Sequence, residues 1–297
     1  MKNQYVGDVG DYGKYSLLRA FADAGVKIGV NWYLTENDGS NDGKFTTYLQ
    51  DDGMRRYQRE IFDALKEIAG KKDKSVLDVQ KSGIFPEAVF YDEQIDVTGT
   101  PKERIRKREE WFERSVDILK DAGLIFMDPD NGLMETGEAS KRGAEKYILP
   151  EEVERYFSEG HDVVYYCHKG RRTYGAWGDY LTLMFERISE AKPAVLTFHK
   201  GSQRSYVFLI HEKNYVKYRK IIDGFKRSWD RIFTEDYTNK GDTAGETHGG
   251  ITLERSDGVT VTLSRRADGQ LAVRISSDPN SSVVITADVM CRLLGIR

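Results

Sequence analysis

Only two of the 297 residues are cysteine. Cys167 and Cys291 stand far apart and form no metal-ligand spacing, so a reduced, cytoplasmic protein is the expectation. No apolar run approaches the roughly 18 residues of a membrane span, and Met1-Lys2-Asn3-Gln4-Tyr5 lacks the apolar core of a signal peptide, so no membrane partner is expected. Net charge is also scarce, at -3. That balance does not announce a nucleic-acid binder, and any basic footprint has to be local. What is present is a 39% hydrophobic, 31% charged chain long enough to bury a substantial core, as one large α/β domain with an appendage or as two domains.

The stretch that organises the chain is Gly123-Leu124-Ile125-Phe126-Met127-Asp128-Pro129-Asp130-Asn131-Gly132. Four apolar residues entered from a helix-ending glycine read as a buried parallel strand, and Pro129 has no N–H with which to continue a ladder. The strand therefore stops at Asp128. Ligands of open α/β sheets sit beyond the carboxyl ends of the strands, which places Asp128, Asp130 and Asn131 where chemistry is done. The plainer alternative is a loop opened by helix-capping residues.

Elements alternate around this strand. A loop carrying Asp8, Asp11 and Lys14 runs into a helix over about 11–24, with Leu17, Leu18, Phe21 and Ala22 at helical spacing. The loop could close over a ligand; equally, Asp11 could be only the N-cap. A first strand over 26–35 ends at Thr35 and enters a turn holding Asp38, Gly39 and Asp42. Doubly wound folds hold nucleotide-like cofactors at such a turn. This one is acidic and repels phosphate, which suits a ligand with hydroxyls, an amine or a sulfonium. A divalent metal is the rival, although no glutamate stands where a calcium loop needs one.

Further on, the pattern predicts a helix over 48–70, a short strand or helix start at 76–79, and a strand over 88–92. Thr100-Pro101-Lys102-Glu103 then combines a capping box with proline at the first helical position. Later come a helix from 150 to 160, a strand over 161–167, a helix over 177–189, strands over 194–198 and 205–211 joined as a hairpin, and a helix over 215–233. The expected fold of residues 1–238 is thus a doubly wound, mostly parallel sheet ending in an antiparallel hairpin. Residues 239–250 read as a linker, and 251–297 as a small β meander with Asp-Gly turns at 257/258 and 268/269, able to pack on the main domain or pair with another chain.

His168-Lys169-Gly170 and His199-Lys200-Gly201 repeat one tripeptide at the carboxyl ends of two successive strands. With Arg171, Arg172 and Arg204 they would form a local basic rim suited to a nucleic-acid backbone. The alternative is a chance repeat of ordinary polar histidines.

A sheet ending in an antiparallel hairpin, a polar turn after the first strand and an Asp-Pro motif after a later one together resemble the S-adenosylmethionine-dependent methyltransferase fold. The nearest pattern is that of the bacterial ribosomal-RNA adenine-N6 methyltransferases. Gly7-Asp8-Val9-Gly10-Asp11-Tyr12-Gly13-Lys14-Tyr15 looks like their segment before the cofactor strand, residues 35–43 occupy the cofactor turn, and Asp128-Pro129 begins the catalytic motif. Asp130 replaces that motif's second proline and Asn131 its aromatic, and Asn37-Asp38-Gly39-Ser40 replaces the glycine-x-glycine turn. The chain also looks like a widespread bacterial group that opens with Asn-Gln-Tyr and carries Asp-Pro-Asp-Asn-Gly, a likeness that supplies no activity.

The resemblance implies transfer to a nucleic acid or nucleotide. Asp8, Asp11, Lys14, Thr35, Asp38, Gly39 and Asp42 would face S-adenosylmethionine; Asp128, Pro129, Asp130 and Asn131, with His168 or His199, would carry the chemistry; Lys169, Arg171, Arg172, Lys200 and Arg204 would hold phosphates. Two alternatives stay open: a nuclease or phosphoesterase with Mg²⁺ on Asp128 and Asp130 and His168 or His199 as base, and a catalytically silent binding module.

Overall fold

The computed structural model describes residues 1–39, 45–135 and 139–237, together with strands at 248–254, 260–265 and 271–276. Helix α1 (Val9–Asp23) begins earlier than the apolar spacing indicates, because Asp8 in extended conformation caps it, accepting the Gly10 N–H at 2.8 Å. Asp11 is therefore not the cap. Strand β1 is Ile28–Asn31. The single helix expected over 48–70 is broken into a 3₁₀ turn (Thr47–Gln50), α2 (Asp52–Arg55) and α3 (Arg59–Ala69). The cause lies far away in sequence: the Tyr12 hydroxyl donates to Met54 O at 2.7 Å and accepts from Gln58 N at 2.9 Å, satisfying backbone groups that a continuous helix would pair internally.

A Ser75/Asp78 capping box makes the short segment that follows a helix, α4 (Val76–Lys81), and not a strand. Next come β2 (Val89–Tyr91), α5 (Pro101–Leu119) with its Thr100/Glu103 box, and β3 (Leu124–Met127), which ends before Asp128. A two-stranded ribbon, β4 (Gly132–Leu133) with β5 (Tyr147–Ile148), leads to α6 (Pro150–Ser158), β6 (Asp162–His168), α7 (Tyr174–Arg187), β7 (Lys192–Phe198) and β8 (Arg204–Ile210). Helix α8 (Glu212–Ser228) stops short of the expected 233. Arg231, at φ +66°, turns the chain so that Phe233 pairs opposite Phe198 in an unanticipated strand, β9 (Phe233–Tyr237).

The seven-stranded sheet runs β2-β1-β3-β6-β8-β7-β9. The first four strands are mutually parallel; β8 is antiparallel to both its neighbours, β6 and β7, and β9 is antiparallel to β7. The expected hairpin is present, but its second strand returns inside the sheet and β9 forms the edge. Side-chain alternation divides the core into two layers. Ile28, Val30, Leu124, Phe126, Val164 and Phe208 meet α1, α3 and α8 on one face. On the other, Ile125, Met127, Val163, Tyr165 and Leu209 meet α5, α6 and α7. This is a doubly wound, Rossmann-like α/β arrangement.

Two compact units divide the chain, Met1–Thr238 and Asn239–Arg297. In the second, β10 (His248–Glu254), β11 (Thr260–Arg265) and β12 (Leu271–Ser276) form an antiparallel sheet in that order. The Asp-Gly turns at 257/258 and 268/269 and the run at 283–286 lie outside the described residues. Among the described residues, no helix is long and apolar enough to cross a membrane.

Candidate functional site

The chain passes from β1 to β2 on one side and returns to β3 on the other, so strand order reverses between β1 and β3. Crevices beyond the carboxyl ends of strands at such a point are where open α/β sheets bind ligands. Alternation aims Asp128 (two after Phe126), Tyr166 and His168 (two and four after Val164) and Arg204 and Tyr206 (four and two before Phe208) toward the α1 face. All five line a cavity of about 470 Å³ closed by the first turns of α1 and by residues 1–8.

Two glycines let α1 come this close. A Cβ on Gly10 would lie 2.5 Å from Arg204 Nε, and one on Gly13 would lie 2.8 Å from the Phe198 ring. The obstacle at Gly10 is the movable end of a side chain. Gly10→Ala is therefore expected to hold the fold, gaining up to about 1 kcal/mol in helix propensity, while pushing Arg204 off Asp8. Solvent exchange of the Arg204 Nη2 protons, which face Asp8, followed by NMR, should accelerate; unchanged protection would show that the guanidinium needs no glycine beneath it.

The wall of the cavity is a set of ion pairs. Lys14 Nζ lies 2.6 Å from Asp128 Oδ2 and 2.8 Å from Asp11 Oδ1, all three side chains being buried. Burial alone would lower the Lys14 pKa, but Asp11 and Asp128 outweigh it and hold the ammonium above its ordinary value. Burial pushes the Asp128 carboxyl up, against the pull of Lys14. Asp130 takes the opposite course: burial would raise it, but the Met1 amine at 2.8 Å and Lys2 at 2.5 Å hold it below its ordinary value. The Met1 amine also donates to Tyr33 O (3.0 Å) and Asp128 O (3.1 Å), lying in the crevice between β1 and β3. Arg204 reaches Asp8 at 2.6 Å and donates to Lys200 O and Ser202 O. Burial, with Arg172 and Arg204 near by, lowers the pKa of His168 and favours the neutral imidazole.

Of the residues singled out in the sequence, Asp8, Asp11, Lys14, Asp38, Asp128, Pro129, Asp130, Asn131, His168 and Arg204 come together here. Thr35 stands behind the wall, donating to Asp130 Oδ2 at 3.3 Å, and Asp38 lies 3.4 Å from Lys2. Gly39, at φ +68°, has, among the described residues, no atom within 4 Å of where a Cβ would sit, and Asp42 lies outside the described residues. His199 is not part of the cavity. Because β8 stands between β6 and β7, the second tripeptide is carried two strands away, roughly 10 Å, and His199 Nε2 pairs with Thr234 Oγ1 at 2.7 Å.

Lys169, Arg171 and Lys200 also lie outside the cavity lining. Arg172 turns away to stack 4.1 Å over the Tyr180 ring, with Glu135 at 3.3 Å. The two carboxylates considered for Mg²⁺ are each held by ammonium groups, and a divalent ion would have to displace them. Among the described residues, no group of three or more His, Cys, Asp or Glu side chains is placed to hold a metal.

No motif or spacing marks Met1, Lys2, Phe45, Lys146 or Ser202, which also line the cavity, and Tyr5 enters it from the Asn-Gln-Tyr opening, to which no role attaches. Tyr166 and Tyr206 are within reach of a sequence argument, since strand periodicity sets them on the faces of His168 and Arg204. No protein-family model matches the chain, and no curated protein matches it significantly.

Proposed function

We propose that the chain is an S-adenosylmethionine-dependent, methyltransferase-like enzyme acting on a nucleic acid or nucleotide. The observation that carries this reading is convergence: the Asp128-Pro129-Asp130-Asn131 segment, the start of α1 and the residues after β1 meet around one polar cavity at the strand-order reversal. Its volume, about 470 Å³, falls within the roughly 300–1,000 Å³ usual for small-molecule sites. A zwitterionic, hydroxylated cofactor needs acids and cations side by side, and the lining supplies them as Asp38 with Lys2 and Asp8 with Arg204.

When bound, that cofactor supplies a methyl group activated on a sulfonium. Asp38, at the mouth, would accept hydrogen bonds from its hydroxyls or amine, and Arg204 would meet its carboxylate. Asn131 and Tyr166 share the wall with Asp128 and would orient the acceptor nitrogen, a positioning effect able to contribute several kcal/mol. Lys14 occupies Oδ2 of Asp128, which leaves Oδ1 to accept a hydrogen bond from the acceptor's amino group. A carboxyl whose pKa burial has pushed up is suited to hold the proton that nitrogen releases. The ammonium groups on Asp128 and Asp130 weigh against the Mg²⁺ alternative.

The test is calorimetric titration of the full chain with S-adenosylmethionine and its demethylated product, without added metal. Micromolar binding is expected, weakened on the order of tenfold by Asp38→Ala, the loss of one charge-assisted hydrogen bond. Absence of binding at millimolar ligand would overturn the reading in favour of a silent binding module.

A further inference from the structure

A second cavity adjoins the first across the β4–β5 ribbon. Its volume is also about 470 Å³, and the two share Asn131 and Lys146. The ribbon fixes this neighbourhood: Asn131 N donates to Lys146 O at 2.9 Å, and Met134 N donates to Ile148 O at 2.8 Å. The charge is of a different kind, however. In the first cavity the Met1 amine, Lys2, Lys14 and Arg204 are each paired with an acid, the shared Lys146 being the exception among the described residues. Among the described residues, the second is lined by Lys141, Arg142, Lys146 and Arg172 against the single carboxylate of Glu135, which is already beside Arg172. Lys141, Arg142 and Lys146 make no ion pair among the described residues, and Lys141 and Arg142 are exposed. Glu145, the other described acid of this loop, turns its carboxylate onto Gly143 N at 2.9 Å, and Lys141, Arg142, Lys146 and Arg172 still outnumber it and Glu135, which on a chain of net charge -3 makes a local positive field.

We infer that the Lys141–Arg142–Lys146 hollow is a phosphate-binding groove for a polynucleotide strand, leading its backbone past Asn131 to the central cavity. Cations without acidic partners bind phosphates without first breaking an ion pair, and each phosphate they neutralise releases counterions. A nucleotide unit seated in the first cavity has its sugar–phosphate chain at the shared Asn131 and Lys146, from which the groove continues over Arg142 and Lys141. The groove also replaces part of the rim drawn from sequence, because Arg172 borders it while Lys169, Arg171 and Lys200 do not. The inference rests on the nucleic-acid half of the proposed function and not on its cofactor.

The experiment is fluorescence anisotropy of a labelled single-stranded RNA of about sixteen nucleotides, the upper end of single-domain site sizes, titrated with the full chain at several salt concentrations and without S-adenosylmethionine. Lys141→Ala/Arg142→Ala/Lys146→Ala is compared with a control, Lys213→Ala/Lys217→Ala/Lys220→Ala, that removes three cations from α8. The groove variant should bind at least tenfold more weakly at about 50 mM salt, with a log K against log salt slope shallower by about 2, some 0.7 per lost contact. Circular dichroism should report an unchanged thermal midpoint. The proposal is overturned if the slope and affinity stay at wild-type values, if the control loses as much, or if adenosine monophosphate competes as well as unlabelled RNA, which would make the site one for a single phosphate. Titration of Lys141→Ala/Arg142→Ala, which leaves the shared Lys146 in place, with S-adenosylmethionine separates the two claims: RNA binding weakened with cofactor binding retained supports the groove, and RNA binding through the groove without any cofactor binding sinks only the methyltransferase reading.

Discussion

Lys14→Met should destabilise the protein by about 3–5 kcal/mol, the cost of leaving buried charge without its partner. The Lys14 ammonium lies within 2.8 Å of both Asp11 and Asp128. The methionine fills much of the same volume, so the loss is electrostatic rather than a cavity effect. Its pH dependence identifies it. The folded-state pKa of Asp128 is already raised by burial, so above the unfolded value the native state holds more proton than the unfolded one, and this carboxyl's contribution to stability declines as pH rises through the folded pKa. Without Lys14 that pKa climbs further. The deficit of the variant should therefore be largest near neutrality and shrink as pH falls toward about 4, the unfolded carboxylate value. Lys14 itself, with its pKa raised, contributes fully below about 10.4 and so adds no slope in that range. Urea unfolding at neutral and acidic pH measures both quantities. A loss under about 1 kcal/mol, the range of exposed pairs, would show that water reaches the cluster; adding Asp128→Asn should return part of the lost stability.

Gly132→Ala is expected to be nearly as damaging, for steric reasons. Gly132 sits at φ +98°, where a side chain costs about 1–2 kcal/mol. Its Cβ would overlap the Tyr180 hydroxyl and lie 2.8 Å from Cys167 Cβ and 3.1 Å from Cys167 Cα, an overpacking cost of about 1–3 kcal/mol more. That hydroxyl accepts from Leu133 N at 2.6 Å and donates to Leu133 O at 3.0 Å, holding the ribbon beside β6. The glycine of Asp-Pro-Asp-Asn-Gly thus has a packing reason of its own, separate from any chemistry of the acids before it. Gly143→Ala is the comparison, because Gly143 has φ +93° and, among the described residues, no atom within 4 Å of where the methyl would sit. Thermal unfolding should show a midpoint drop at Gly132 well beyond that at Gly143. Equal drops would mean that only backbone strain is felt.

The strand at Leu124–Met127, its stop before Asp128 and the capped start of α5 were legible because each is fixed within a few neighbouring residues. Features set by distant partners were not. The break before α3 depends on the Tyr12 hydroxyl. The helix expected over 215–233 leaves 234–237 without an assigned strand, yet β9 forms there, where Arg219 and Lys226 neutralise the buried Glu235. At the site, the sequence brought Asp8, Asp11, Lys14 and Asp128 to one edge, but it could not show that the acids would meet cations there. Pairings such as Lys2 with Asp130 span more than a hundred residues and leave no periodic trace. Strand order is equally silent in a hydrophobic pattern, and for that reason His199 was grouped with His168.

The position of β8 between β6 and β7 also governs the order of events at the ribosome. The free side of β6 has its partner in residues 204–210, and α7 and β7 must be made first. Synthesis proceeds at about 5–20 residues per second, so some forty residues leave that apolar strand with an unsatisfied ladder for several seconds. During this interval β7, already emerged and of the same orientation as β6, is a competing neighbour, and an exposed strand flank is a template for another chain. The nascent protein is therefore most vulnerable to mispairing just before its eighth strand appears.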